Sequence, residues 1–154
     1  MAKQSAGLLL YRRNDVLEVM LVHPGGPFWA KKDLGAWSIP KGEYAEGEDP
    51  LAAARREFEE ETGFPAPDNA IALGELKQAG GKMVTAWAAE GDCDPARLVS
   101  NTCEIEWPPR SGRKIEIPEV DRAGWFTIDE AGEKILKSQQ PFLDWLERKL
   151  GIRD

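Results

Sequence analysis

The stretch from Asp49-Pro50 to Gly63 has the least conformational freedom of any in this chain. Aspartate is a strong N-cap, proline fits the first helical position, and glycine followed by Pro65 stops a helix, so the residues predict a helix over Pro50 to Thr62. At about 100° per residue, Leu51, Ala54 and Phe58 fall on one stripe, while Arg55 and Glu59 fall on another side. A helix with one apolar stripe has to pack on something, and its neighbours in sequence read as strands.

Ser5 to Arg12 and Val16 to Val22 are apolar, β-rich runs linked by Arg13-Asn14-Asp15, which reads as a hairpin of core strands. Pro24 to Gly35 turns to Gly, Pro, Lys and aromatics and reads as a surface loop, with Trp37 to Ile39 a short strand ending at Pro40. Ile71 to Lys77 and Met83 to Ala89 read as strands around Gly80-Gly81, and Glu104 to Trp107 and Gly124 to Thr127 as two short ones. A second helical region begins at Ile128-Asp129-Glu130, and Pro141 to Leu150 sets Phe142, Trp145, Leu146 and Lys149 at helical spacing. Repeats, low-complexity segments and long linkers are lacking, so one domain over residues 1–154 is expected. Its class is α/β, a sandwich with helices on both faces of a mixed sheet.

Hydrophobic residues at 42% and charged residues at 31% put the chain among globular domains rather than disordered ones. No apolar run approaches the roughly 20 residues that span a bilayer, which argues against membrane association and for the cytoplasm. Cys93, Cys103 and the single histidine, His23, make neither a disulfide framework nor a zinc site, so both cysteines read as reduced and structural. The net charge of -7 repels a nucleic-acid backbone, and any polyanionic substrate then calls for a metal ion. The one basic cluster outside the central helix, Arg110, Arg113 and Lys114, reads as a solvated loop.

Arg56-Glu57-Phe58-Glu59-Glu60-Glu61 crowds like charges onto the central helix at a cost in stability. Glu57, Glu60 and Glu61 stand at i, i+3 and i+4 and project from one side, next to the apolar stripe. Such a run is ordinarily a solvated acidic face. At a cleft edge the same three carboxylates make a site for a hard cation, with oxygen donors favouring magnesium, manganese or calcium over zinc.

The wider spacing decides between these readings. Gly42, five residues, Glu48, seven residues, then Arg56-Glu57-Phe58-x-Glu60-Glu61-x-Gly63-Phe64 resembles the complete Nudix box, with every fixed glycine, glutamate and arginine present. Phe58 and Phe64 stand where the family usually has aliphatic residues, which adjusts packing and leaves the chemistry alone. The early hairpin, the loop before Trp37, and Glu119 followed by Trp125-Phe126 are also similar to the family's layout, with less specificity.

The resemblance implies a Nudix-type α/β/α sandwich and a pyrophosphohydrolase using Mg2+ or Mn2+. It implies metal binding by Glu57, Glu60, Glu61 and the carbonyl of Lys41, with Glu57 or Glu60 orienting or deprotonating the attacking water. Glu48 and Arg56 would brace the loop against the helix. A carboxylate outside the box would complete the site, with Glu104, Glu106 and Glu119 the candidates and Glu119 in the most family-like context. Stacking of a base would fall to aromatics among Phe28, Trp29, Trp37, Trp87 and Trp107, with Lys41, Trp37 and Glu106 as substrate-binding residues. The approach Trp37-Ser38-Ile39-Pro40-Lys41-Gly42 is similar to that of dinucleoside tetraphosphate and diphosphoinositol phosphate hydrolases. The expected substrate is therefore a nucleotide-like small molecule, foremost a dinucleoside polyphosphate such as diadenosine tetraphosphate. A nucleoside triphosphate cleared from the pool, or a binding module without catalysis, are the alternatives, and a homodimer is compatible with the sequence.

Overall fold

The computed structural model describes residues 3–152. Among them run eight strands and three helices: β1 (Gln4–Arg13), β2 (Leu17–Pro24), β3 (Lys41–Glu43), α1 (Pro50–Thr62), β4 (Ile71–Lys77), β5 (Met83–Glu90), β6 (Thr102–Glu106), β7 (Lys114–Pro118), β8 (Val120–Thr127), α2 (Ile128–Lys134) and α3 (Gln140–Lys149). The main sheet has the order β4-β5-β1-β2-β8, with β3 added to β1; β1 and β5 are parallel and the other pairs antiparallel. None of the helices described is long and apolar enough to cross a membrane.

The uninterrupted apolar run of β1 follows from its place in the middle of this sheet, buried on both faces. Leu8 and Leu10 face Phe58 of α1, while Leu9 and Tyr11 join the larger core with Ala131 of α2 and Phe142, Leu143 and Leu146 of α3. The mixed sheet thus lies between helices in an α/β/α arrangement. Asp49 caps α1 by accepting from the Ala52 amide, and Gly63 closes it at φ 77° with its N–H on the Glu59 carbonyl. Thr127 and Glu130 form a reciprocal capping box on α2.

Two assignments change. Trp37 to Ile39 is not a strand: it makes only isolated bridges, Val22 with Ser38 and Trp37 with Ile135, and the paired strand begins at Lys41. Trp37 turns into the core, and Pro40 has no N–H to extend a ladder. Lys114, expected in a solvated loop, opens β7, which pairs with β6 from Thr102–Pro118 to Glu106–Lys114 in a two-stranded ribbon. Its isoleucines alternate with charges in so short and exposed a strand that the charges mask the period. β8 also starts earlier than expected, at Val120.

One edge of β1 is shared. Its last residues, Tyr11 to Arg13, pair with β2, and its first, Ser5 to Gly7, pair with β3. In between, the Leu8 amide donates to the Pro40 carbonyl at 3.1 Å, while Val22 on β2 exchanges backbone bonds with Ser38 at 2.9 and 3.0 Å. The chain from Ser38 to Lys41 therefore wedges β1 and β2 apart beside α1.

Candidate active site

Lys41-Gly42 lies against the acidic side of α1, and the contact needs glycine. A Cβ at position 42 would overlap the carboxyl group of Glu57. Arg56 grips the other end of the loop: its Nη2 donates to Glu48 Oε2 at 3.1 Å and Oε1 at 3.3 Å, its Nε to Oε2 at 3.3 Å, while Glu48 Oε1 accepts from the Ala45 amide at 3.3 Å. The same guanidinium reaches Glu57 Oε1 at 3.0 Å and Glu60 Oε1 at 3.5 Å. One cation thus ties the loop glutamate to two of the helix glutamates.

Glu57 is 8% exposed and Glu61 7%, so neither is the solvated acidic face that a glutamate run ordinarily makes. Burial pushes the Glu61 carboxyl up to about 8, with the charges of Glu119 and Glu57 adding to it; the Lys41 ammonium and its backbone N–H oppose the rise. Burial also raises Glu57, helped by Glu60 and Glu119 and opposed by Arg56. Lys41 is the half-buried counter-charge: desolvation and Lys82 lower its ammonium below the usual lysine value, while Glu61, Glu43 and Glu119 hold it up.

Glu119 reaches this group from the far side of the sequence. The Asn101 N–H donates to the Glu60 carbonyl at 2.8 Å and the Asn101 carbonyl accepts from the Glu119 N–H at 2.9 Å, so one residue's backbone joins α1 to the strand end that carries Glu119. Sequence reasoning missed Asn101, and nothing local marks it. Lys41, Glu61 and Glu119 line a pocket of about 210 Å³ with Trp29, Ser38 and Val120. The fit to a hard divalent cation is one of donor chemistry: the donors are all oxygens, and two buried carboxylates repel each other for want of positive charge. Among the described residues no three Asp, Glu, His or Cys side chains form a preformed cage.

Pro24, Trp29 and Glu119 also line a second, wider cavity of about 610 Å³, walled by Phe28 on one side and Ile105, Trp107 and Ile117 of the β6–β7 ribbon on the other. Phe28 is 54% exposed and meets Trp29 edge-on at 5.1 Å. The Lys32 ammonium lies 3.8 Å from the Phe28 ring centre, a cation at the cleft mouth that the sequence did not single out. The two cavities share Pro24, Trp29 and Glu119, so the carboxylates and Lys41 of one adjoin the aromatic rings of the other, and together they are the cleft.

Of three further expected residues, two lie elsewhere and one is otherwise engaged. Trp37 is 5% exposed, donates its indole N–H to Asp33 Oδ1 at 2.8 Å and packs edge-on against Phe126, which leaves no face for a base. Trp87 packs in the core beneath α1. Glu106 borders the outer cavity, but its carboxylate accepts from the Arg110 and Gly112 amides at 2.9 and 3.1 Å and so closes the ribbon turn. Of the three carboxylates considered outside the box, Glu104 pairs with Lys114 at 3.7 Å on the ribbon, and Glu119 alone joins the Lys41 pocket.

A family model described as NUDIX domain matches residues 1–146. Among solved structures, the chain is similar to an Ap4A hydrolase of C. elegans in a binary complex, with 22% identity, a TM-score of 0.67, and 96% of this chain and 98% of that one covered. It is similar to the NUDIX domain of Shewanella oneidensis NrtR complexed with ADP ribose, at 17% identity, TM-score 0.67 and coverage of 97% and 89%. A MutT protein from Methanosarcina mazei Go1 matches at 17% identity and TM-score 0.62, with 97% and 95% covered. At these identities the likeness is one of fold.

Proposed function

The chain belongs to the NUDIX family and is a Nudix hydrolase acting on phosphoric anhydride bonds, and from that premise we propose that its substrate is a dinucleoside polyphosphate such as diadenosine tetraphosphate, cleaved with magnesium or manganese. The observation that carries this reading is the half-buried Lys41 ammonium, set in one pocket with Glu61 and Glu119 beside an aromatic cavity. A chain of several phosphates offers charge to Lys41 and the metal site at once, and the 610 Å³ beyond Trp29 suits a nucleoside.

Glu57, Glu60, Glu61, Glu119 and the Lys41 carbonyl would hold the cation, which supplies positive charge to the diphosphate and acidifies water. Everything else is positional. Glu57 or Glu60 orients the attacking water and accepts its proton. Arg56, braced by Glu48, keeps those two carboxylates in place, and Gly42 lets the loop approach them. Lys41 binds a phosphate oxygen. Phe28, Trp29 and Trp107 form the walls that exclude water from a bound base.

A substrate panel tests this: diadenosine tetraphosphate, common and oxidised nucleoside triphosphates, ADP-ribose and a diphosphoinositol phosphate, each with magnesium and with a chelator. Magnesium-dependent release of ATP and AMP from the dinucleotide as the fastest reaction is the expected result. Faster release of pyrophosphate from triphosphates would replace the dinucleotide reading with pool cleaning, and binding without turnover of any of them would make the chain a ligand-sensing module.

A further inference from the structure

Buried polar groups need partners, and an imidazole with partners on both sides ties together the segments that carry them. His23, the chain's single histidine, stands on β2 and is fully enclosed. Its Nδ1 lies 2.9 Å from Asp121 Oδ1 on β8, and its Nε2 lies 2.6 Å from the carbonyl oxygen of Lys32. Both facing atoms are acceptors. The ring thus bridges β8 and the loop that follows Trp29.

The charges around it come from every neighbouring element. Asp121 also faces the Arg122 Nε at 3.8 Å, and Arg122 stands opposite His23 in the β2–β8 ladder. Trp37 meets the imidazole edge-on at 5.2 Å and holds Asp33, which pairs in turn with Lys134 of α2. The Lys32 ammonium is turned away, 3.8 Å from the Phe28 ring centre and 5.2 Å from that of Trp29. The Lys32 amide also donates to the Trp29 carbonyl at 2.9 Å. Holding the Lys32 carbonyl therefore holds the turn that carries both aromatic residues of the cleft wall.

We propose that His23 acts as a positioning residue for substrate binding, clamping Lys32 between β8 and the cleft and so setting Phe28 and Trp29. This rests on the reading of that cleft as the substrate site. The recorded contacts of His23 go to β8, the loop and Trp37, not to the carboxylates of α1, so its effect falls on binding and not on bond cleavage.

His23→Gln keeps a donor for only one acceptor. Losing one charge-assisted bond should raise KM for diadenosine tetraphosphate about tenfold, leave kcat within about twofold, and shift the amide resonances of Phe28 to Lys32. Unmoved loop resonances overturn the clamp. Moved resonances with KM unchanged overturn its role in binding, and with it the placement of substrate in this cleft.

Discussion

Gly42 and Glu57 compete for the same space, and the smallest possible side chain at 42 settles the contest in favour of the carboxylate. Gly42→Ala should therefore displace Glu57, lowering kcat about a hundredfold or more, with a far-ultraviolet dichroism spectrum that stays native. Glu60→Gln should remove activity to a similar extent without loss of fold, since Glu60 is exposed; unchanged turnover would exclude Glu60 from the site. Glu61 behaves differently because it is buried and its carboxyl is raised to about 8. A carboxyl raised on folding contributes stability that is fully present below its ordinary value and is lost progressively as pH rises to the shifted one. In chelator, Glu61→Gln should match the wild-type Tm near pH 4 and exceed it by a margin that widens until about pH 8 and is level beyond, while being inactive throughout. Equal melting at pH 9 would mean that Glu61 is not held at a charge deficit. The box glutamates were legible in the sequence because helical spacing fixes their geometry within a few residues. Trp37 and His23 were not: whether a tryptophan is wall or core, and what faces an imidazole, depends on residues a hundred positions away, Asp121 and Phe126 among them.

Among the elements, α1 is the most self-declared, with its cap, first-turn proline and terminal glycine all local. Its two ends can be separated by mutation. Asp49→Ala removes the bond to the Ala52 amide and should cost about 1 kcal/mol of stability in a denaturant titration, with kcat little changed. At Gly63 the backbone is left-handed and an added Cβ would stand 2.9 Å from the Val99 carbonyl. Gly63→Ala should cost about 1–2 kcal/mol and also lower kcat, because the segment it would push, Val99 to Asn101, ties Glu60 to Glu119. The core strands were legible from their continuous apolar runs. β3 and β7 were not, for opposite reasons: β3 is three residues of the box loop that become a strand only because β1 has a free edge there, and β7 is half charged.

For the whole molecule, the net charge of -7 and the buried carboxylates set folding against function until a cation is present. Saturating magnesium, at about a hundred times its dissociation constant, should stabilise the chain by about 2.7 kcal/mol and raise Tm measurably, and Glu57→Gln should lose most of that increment. An identical Tm with magnesium and with chelator would argue against the carboxylates as a cation site. The α/β/α frame was readable as a class, and the family-like context already favoured Glu119 as the carboxylate to join Lys41 and Glu61; the backbone link through Asn101 that ties its segment to α1 was not readable, because no pattern announces it.

The β6–β7 ribbon pairs with itself and not with the main sheet, and it supplies the outer wall of the cleft. Its length is thus uncoupled from the register of every core strand. A ribbon so attached can gain or lose residues in cross-strand pairs while the carboxylates of α1 stay where they are, so that, with substrate in the cleft as proposed, it would be an adjustable gauge of substrate length beside a cutting edge that need not be redesigned.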